Sequence, residues 1–275
     1  MTLEDIETAN QKNSEIRAQD YQNHHVFDEI EYMRGFYDSV SFSCFNYIPT
    51  GTHGIVNYAT YVYLALRGTL ESIGLTLKNG LITDAFALLR KYYDDVLAEI
   101  YIDITRKDKY DWEKSFIVED VDKWLRDTLW MPSMKGMKKA LKESPSTKDL
   151  YPFFGWDSYL KKNRAILDAY VHGSRYRGML LNCPTIALGY RKKHLDGVST
   201  VLKQVFTLHL AFIFYLNGEY LMDSTYIDCL DVNETPPEGS ESWISPYAQE
   251  AFDRYIKPYA KLAAFIKEHC VLEIK

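Results

Sequence analysis

Proline and glycine are scarce in this chain: nine and fourteen among 275 residues. Folds made of many short strands need frequent turn formers, so the shortage disfavours sandwiches and barrels and favours long helices. Cysteine is equally sparse. Cys44, Cys183, Cys229 and Cys270 stand far apart, with no Cys-x-x-Cys and no Cys/His cluster, which argues against a structural zinc site. Free thiols fit a reducing compartment. The acidic opening Met-Thr-Leu-Glu-Asp-Ile-Glu has neither the basic nor the apolar region of a secretory signal. The most apolar run, Val205 to Leu216, carries His209 and falls short of the ~20 residues that span a bilayer, so it reads as a core helix. Together these absences predict a cytoplasmic protein with no membrane partner.

Several catalytic signatures are missing as well. No Gly-x-Ser-x-Gly elbow, Walker-type phosphate loop, Gly-x-Gly-x-x-Gly turn or His-Glu-x-x-His occurs. Serine hydrolysis of the elbow type, familiar ATP or dinucleotide binding and zincin chemistry therefore have no support, and no cofactor and no metal are expected. Cys183, in a bridge before a proline, reads as a packed thiol because no histidine partner is placed beside it.

What the chain does have is an uneven charge. Between Pro132 and His194 there are thirteen Lys/Arg against four Asp/Glu, a net +9, while the whole chain carries −6. A basic block in an acidic chain points to a local anionic partner, or to acidic and basic faces that meet across a homodimer. Tyrosine is abundant, with 22 residues, which suits an interface.

The apolar spacing is helical throughout. Residues 1–25 are polar and read as an arm or a solvated first helix. Phe27, Ile30, Met33, Phe36 and Tyr37 recur three or four apart and predict a helix ending near Ser41. Asn46 to Gly54 is a loop. Ala59, Val62, Leu66, Leu70, Ile73 and Leu77 predict a helix closed by Asn79-Gly80, and Thr83-Asp84 stands where the next would begin. Arg106 to Lys114 reads as a charged surface stretch. Short helices are expected at 118–130 and 135–142, then one capped by Asp157 or Ser158, then a long one from about Val198 to Met222. A last helix, 247–269, should kink at Pro258. The expected fold is all-α: a single bundle of about seven to nine helices over residues 26–275.

The most informative stretch is Arg164-Ala-Ile-Leu-Asp168-Ala-Tyr-Val-His172-Gly-Ser-Arg175-Tyr-Arg177. Arg164, Asp168 and His172 are four apart, so on a helix they form one column. Histidine can take or give a proton near neutrality, a neighbouring carboxylate can orient it, and arginine matches phosphate oxygens. Arg175, Arg177, Lys161 and Lys162 would add phosphate contacts, and Tyr170 and Tyr176 could stack on bases. The plain reading of the same column is a surface ladder worth a few tenths of a kcal/mol per pair. A second cluster, Arg90, Asp94, Asp95 and Glu99, could hold a divalent cation, but a solvated acidic face is the better reading.

The stretch Leu70 to Arg90, taken with the later Asp168-Ala-Tyr-Val-His172-Gly-Ser, resembles bacterial all-helical proteins similar to the HEPN superfamily. The resemblance implies an all-helical protein that engages RNA or a nucleotide. In the active ribonucleases of that superfamily a dimer brings together Arg and His motifs, and RNA is cut without metal. It would make His172 the acid or base and Arg164 the phosphate holder. Here seven residues separate the two, Ala165 follows the arginine, and Asp168 has no counterpart in the motif. The rival expectation is a non-catalytic interaction or scaffold module acting as a homo-oligomer.

Overall fold

A computed structural model describes residues 2–4, 14–155, 159–172 and 176–275. About 69% of the chain is helical and no strand forms among the described residues, only isolated bridges. The protein is all-α. Its helices are α1 Ser14–Arg17, α2 Gln19–Gln22, α3 His25–Phe45, α4 Tyr58–Lys78, α5 Ile82–Lys109, α6 Glu119–Leu125, α7 Met134–Glu143, α8 Tyr159–Val171, α9 Tyr176–Leu180, α10 Arg191–Leu216, α11 Thr225–Asp231, α12 Pro246–Ala251 and α13 Ala260–His269. The chain divides into two compact units. The first is Met1–Gly35, Ala65–Asp95 and Gly155–Val205; the second is Phe36–Leu64, Val96–Phe154 and Phe206–Lys275. Helices α3, α4, α5 and α10 contribute residues to both.

In the first unit the predicted stripes are the core: Ile30 and Met33 of α3, Leu70 and Ile73 of α4, Leu89 of α5 and Leu202 of α10 are all buried. Helix α4 ends at the expected Asn79-Gly80. Gly80 adopts φ +77°, and the amide of Leu81 reaches back to the Thr76 carbonyl at 2.9 Å, closing the helix in a left-handed cap. Tyr21 and Gln22 of α2 donate to the carbonyls of Leu77 and Lys78 in the last turn of α4, the first of which also accepts from the Gly80 amide. The start of α5 is capped from afar. Asn182 Oδ1 accepts from the Thr83 amide at 2.8 Å, and its Nδ2 donates to Asp84 at 2.7 Å.

Arg191 opens α10 with no solvent exposure. Its guanidinium donates to the carbonyls of Ile186 (2.6 Å), Cys183 (2.6 Å) and Leu180 (3.3 Å) and pairs with Glu15 at 3.0 Å. Glu15 also accepts from the amides of Leu188 and Arg191, so it caps α10. Burial works against ionisation of Glu15, but those amides and the guanidinium outweigh it and hold its carboxyl below the ordinary value.

In the second unit the apolar part of α10 is core, as its composition predicts: Phe206, Leu210, Phe212 and Phe214 are buried. The whole helix is long and apolar enough to cross a membrane, but most of it is buried inside the protein. Several boundaries differ from expectation. Helix α5 runs to Lys109, through half of the stretch expected to be surface, and α10 begins at Arg191 rather than near Val198. The closing segment breaks as its proline requires. α12 gives way to a π-helical turn, Phe252–Ile256, and α13 starts at Ala260, just after Pro258. The proposed caps Asp157 and Ser158 lie outside the described residues.

Candidate functional site

Helix α8 places most of the sequence-predicted residues in the first unit. Leu160 and Leu167 are buried and fix its inner face. Tyr170 lies on that side too. Its ring stacks on Phe86 at 4.1 Å, nearly parallel, and its hydroxyl is 3.3 Å from His194 Nδ1. One face of the Tyr170 ring is therefore already occupied by protein.

Arg164 and Asp168 meet, as their spacing requires, at 3.7 Å. They meet inside a larger ring. Arg164 donates to Asp94 at 2.8 Å, Arg90 donates to Asp168 at 2.7 Å, and Arg90 pairs with Asp94 one turn further along α5. Two guanidinium groups and two carboxylates alternate, so the charge closes on itself. His172, at the far end of α8, is exposed, and only its backbone amide reaches Asp168, at the carbonyl. Its side chain makes no hydrogen bond or ion pair among the described residues.

The exposed ridge of α8 carries a different set. Lys161, Lys162 and His172 are exposed, followed on α9 by Tyr176 at 75% and Arg177. None of these cations has an ion-pair partner among the described residues. Lys161 and His172 are eleven residues apart, which places them on one face about 16 Å from each other. Arg175 lies outside the described residues.

The second unit holds a cluster that sequence reasoning missed. Glu99 and Asp103 of α5 are 2% exposed and His209 of α10 is fully buried. The reading of Glu99 as part of a solvated acidic face is corrected here. The Tyr37 hydroxyl lies 2.7 Å from His209 Nδ1, and His209 Nε2 lies 3.0 Å from Glu99 Oε2, so the imidazole bridges the two through both ring nitrogens. Tyr63 donates to the other Glu99 oxygen at 3.1 Å. Asp103 accepts from Tyr58 at 2.6 Å and from Asn217. Arg106 donates to Asn217 and Thr50, each at 2.9 Å, and stands 3.8 Å from Asp103.

Burial is the main force on this cluster. It pushes Glu99 and Asp103 up to about 7, with the neighbouring Glu99 charge adding to the rise at Asp103. It pushes His209 down to about 3. Near neutrality the two carboxyls together hold about one proton, and the remaining negative charge balances Arg106. The signal was present in the sequence: Glu99, Asp103 and Arg106 recur at four and three residues on one helical face. Glu99, Asp103 and His209 are sealed from solvent, so the chemistry of the cluster is that of a polar core and not of a substrate site.

No family model matches this chain, and no curated protein or solved structure is similar enough to it to count as a match.

Proposed function

We propose that this chain is a HEPN-like cytoplasmic protein that binds RNA or a nucleotide through the exposed ridge of α8 and α9, without cleaving it. The observation that carries the reading is the contrast within one helix. Arg164 and Asp168 are neutralised in a ring with Arg90 and Asp94, while Lys161, Lys162, His172 and Arg177 stand exposed with no carboxylate partner among the described residues. The cations of Lys161, Lys162 and Arg177 can each neutralise a phosphate of one strand, and the His172 ring, about 16 Å along the ridge from Lys161, is open to hydrogen-bond another. Tyr176, next to Arg177 in the chain, offers an exposed ring for a base. Among the described residues no guanidinium pairs with the His172 imidazole, and Arg164, the phosphate holder that the resemblance implies, is engaged by Asp94.

The test is fluorescence-anisotropy titration of a labelled single-stranded RNA at low and moderate salt. Three phosphate contacts would weaken binding about 20-fold between ~50 and ~200 mM salt. Charge reversal at Lys161, Lys162 and Arg177 should abolish most of that affinity and flatten its salt dependence. RNA left unbound at low salt by the wild-type protein overturns the reading.

A second reading is favoured by one observation. Val171 (46% exposed), Tyr176 and Met179 (62% exposed) leave apolar surface beside the same cations. A homodimer built on this face would cover it, and Met179→Asp would then convert a dimer to a monomer in light scattering.

A further inference from the structure

A second cluster in the first unit has no part in that reading. His24 lies just before α3, His25 opens that helix, and Asp196 stands in the second turn of α10. One ligand atom from each of the three lies within 4.8 Å of the other two. The His24 and His25 rings are 4.1 Å apart at their centroids, and His24 Nε2 is 3.0 Å from Asp196 Oδ1. His24 is buried, whereas His25 and Asp196 are exposed.

We propose that His24, His25 and Asp196 form a binding site for a zinc-type divalent cation. Two imidazoles and one carboxylate suit a borderline metal and are poor ligands for calcium or magnesium, which take oxygen. Three protein ligands leave a fourth position to water. Tetrahedral ligands at about 2.1 Å from the metal stand about 3.4 Å from one another. The observed span of up to 4.8 Å must therefore close by at most about 1.4 Å on loading.

The surroundings orient the site. Ser199, three residues after Asp196 on α10, donates to Glu29 at 2.6 Å and lies 3.2 Å from His25 Nε2. With the serine proton committed to Glu29, His25 Nε2 carries a proton and donates to the serine oxygen, which leaves the Nδ1 lone pair for the cation. A ligating histidine tied in this way by its other nitrogen is the usual arrangement at metal sites. Lys203 pairs with Glu29 at 3.1 Å and balances its charge. At His24 the Val26 amide donates to Nδ1 at 3.2 Å, so the ring proton sits on Nε2. Loading the cation there needs the other tautomer: the Nε2 proton is exchanged for one on Nδ1, and the Val26 amide loses its acceptor, a cost that the metal bond must exceed. No net proton is lost from the ring.

The experiment is calorimetric titration of the full chain, freed of metal by chelator, with zinc chloride alone, followed by cobalt(II) absorption to read the geometry. One saturating equivalent is expected, with a tetrahedral cobalt spectrum. His25→Ala and Asp196→Asn, both at exposed positions, should each weaken binding at least about ten-fold while circular dichroism and thermal melting stay close to wild type. Glu29→Gln should weaken it less. Absence of saturable zinc binding in the wild-type chain overturns the proposal. So does binding that survives both His25→Ala and Asp196→Asn unchanged, which would place the metal at another surface histidine.

Discussion

Arg90 Nε of α5 donates to Asp168 Oδ1 of α8 across 2.7 Å, and this bond closes the ring that also holds Asp94 and Arg164. The four side chains are partly exposed, so solvent screens them and each contact contributes modestly. Arg164→Ala should cost about 1 kcal/mol of stability by urea unfolding, and less at high salt. Its effect on RNA affinity should stay within about two-fold, because its charge is already spent inside the protein. A large loss of RNA affinity with unchanged stability would instead return Arg164 to the binding face.

How far the sequence could be read follows from helical geometry. Apolar periodicity located the long helices and Asn79-Gly80 marked the end of one, because those signals are local; Pro258, read as a kink in one helix over 247–269, instead stands in a break between α12 and α13. The cap on α5 was not legible, since Asn182 reaches Thr83 from 99 residues away. The acidic cluster was misread for a geometric reason. Glu99 is nine residues from Arg90, about two and a half turns, so the two occupy opposite sides of α5. Asp94 stays with Arg90 in the ion ring, whereas Glu99 goes inward with Asp103 toward His209. Of the column Arg164, Asp168, His172, the first two lie on α8 and His172 follows its last residue. What sequence could not supply was the pair of partners on α5 that capture its first two members.

Gly80→Ala tests the end of α4. The residue holds φ +77°, where an L side chain is strained, and an added Cβ would lie 2.2 Å from Ile16 Cδ1. The Ile16 side chain can turn aside, but the backbone cannot, so a loss of about 1–2 kcal/mol is expected in chemical unfolding. Adding Ile16→Ala should recover only the steric part.

Arg191→Met tests the knot before α10. The change takes a donor from the carbonyls of Ile186, Cys183 and Leu180, of which the last two keep a backbone amide, and leaves the Glu15 carboxylate without its guanidinium. Breaking a buried pair by removing one partner costs about 3–5 kcal/mol. Arg191→Lys should fail nearly as badly, because a single ammonium cannot span Glu15 and the carbonyls of Leu180, Cys183 and Ile186 together. Thermal melting of both variants decides this, and a lysine variant as stable as wild type would mean that charge alone, not the planar fork, holds the segment.

The buried cluster around Glu99 gives the chain a pH dependence of unusual sign. Glu99 and Asp103 titrate near 7 when folded, far above their unfolded range, so between about pH 4.5 and 7 the folded state holds protons that the unfolded state has lost. Their contribution to stability therefore falls as pH rises through that window. His209 acts oppositely. Folded, it stays neutral down to about 3, so it favours folding more as pH climbs from there to the unfolded value near 6.5. Two carboxyls against one imidazole leave a net loss of about one proton, or about 1.4 kcal/mol per pH unit, between pH 4.5 and 6.5. Glu99→Gln removes one carboxyl and keeps its shape, with one acceptor oxygen and an NH2 that donates to whichever of His209 and the Tyr63 hydroxyl turns to accept. With Asp103 and His209 then opposed one to one, the cluster should contribute no slope in that window. Urea unfolding of wild type and Glu99→Gln across pH 4.5 to 7 measures the difference directly. The variant should gain on wild type as pH rises, and two parallel curves would mean that Glu99 is already ionised in the folded core.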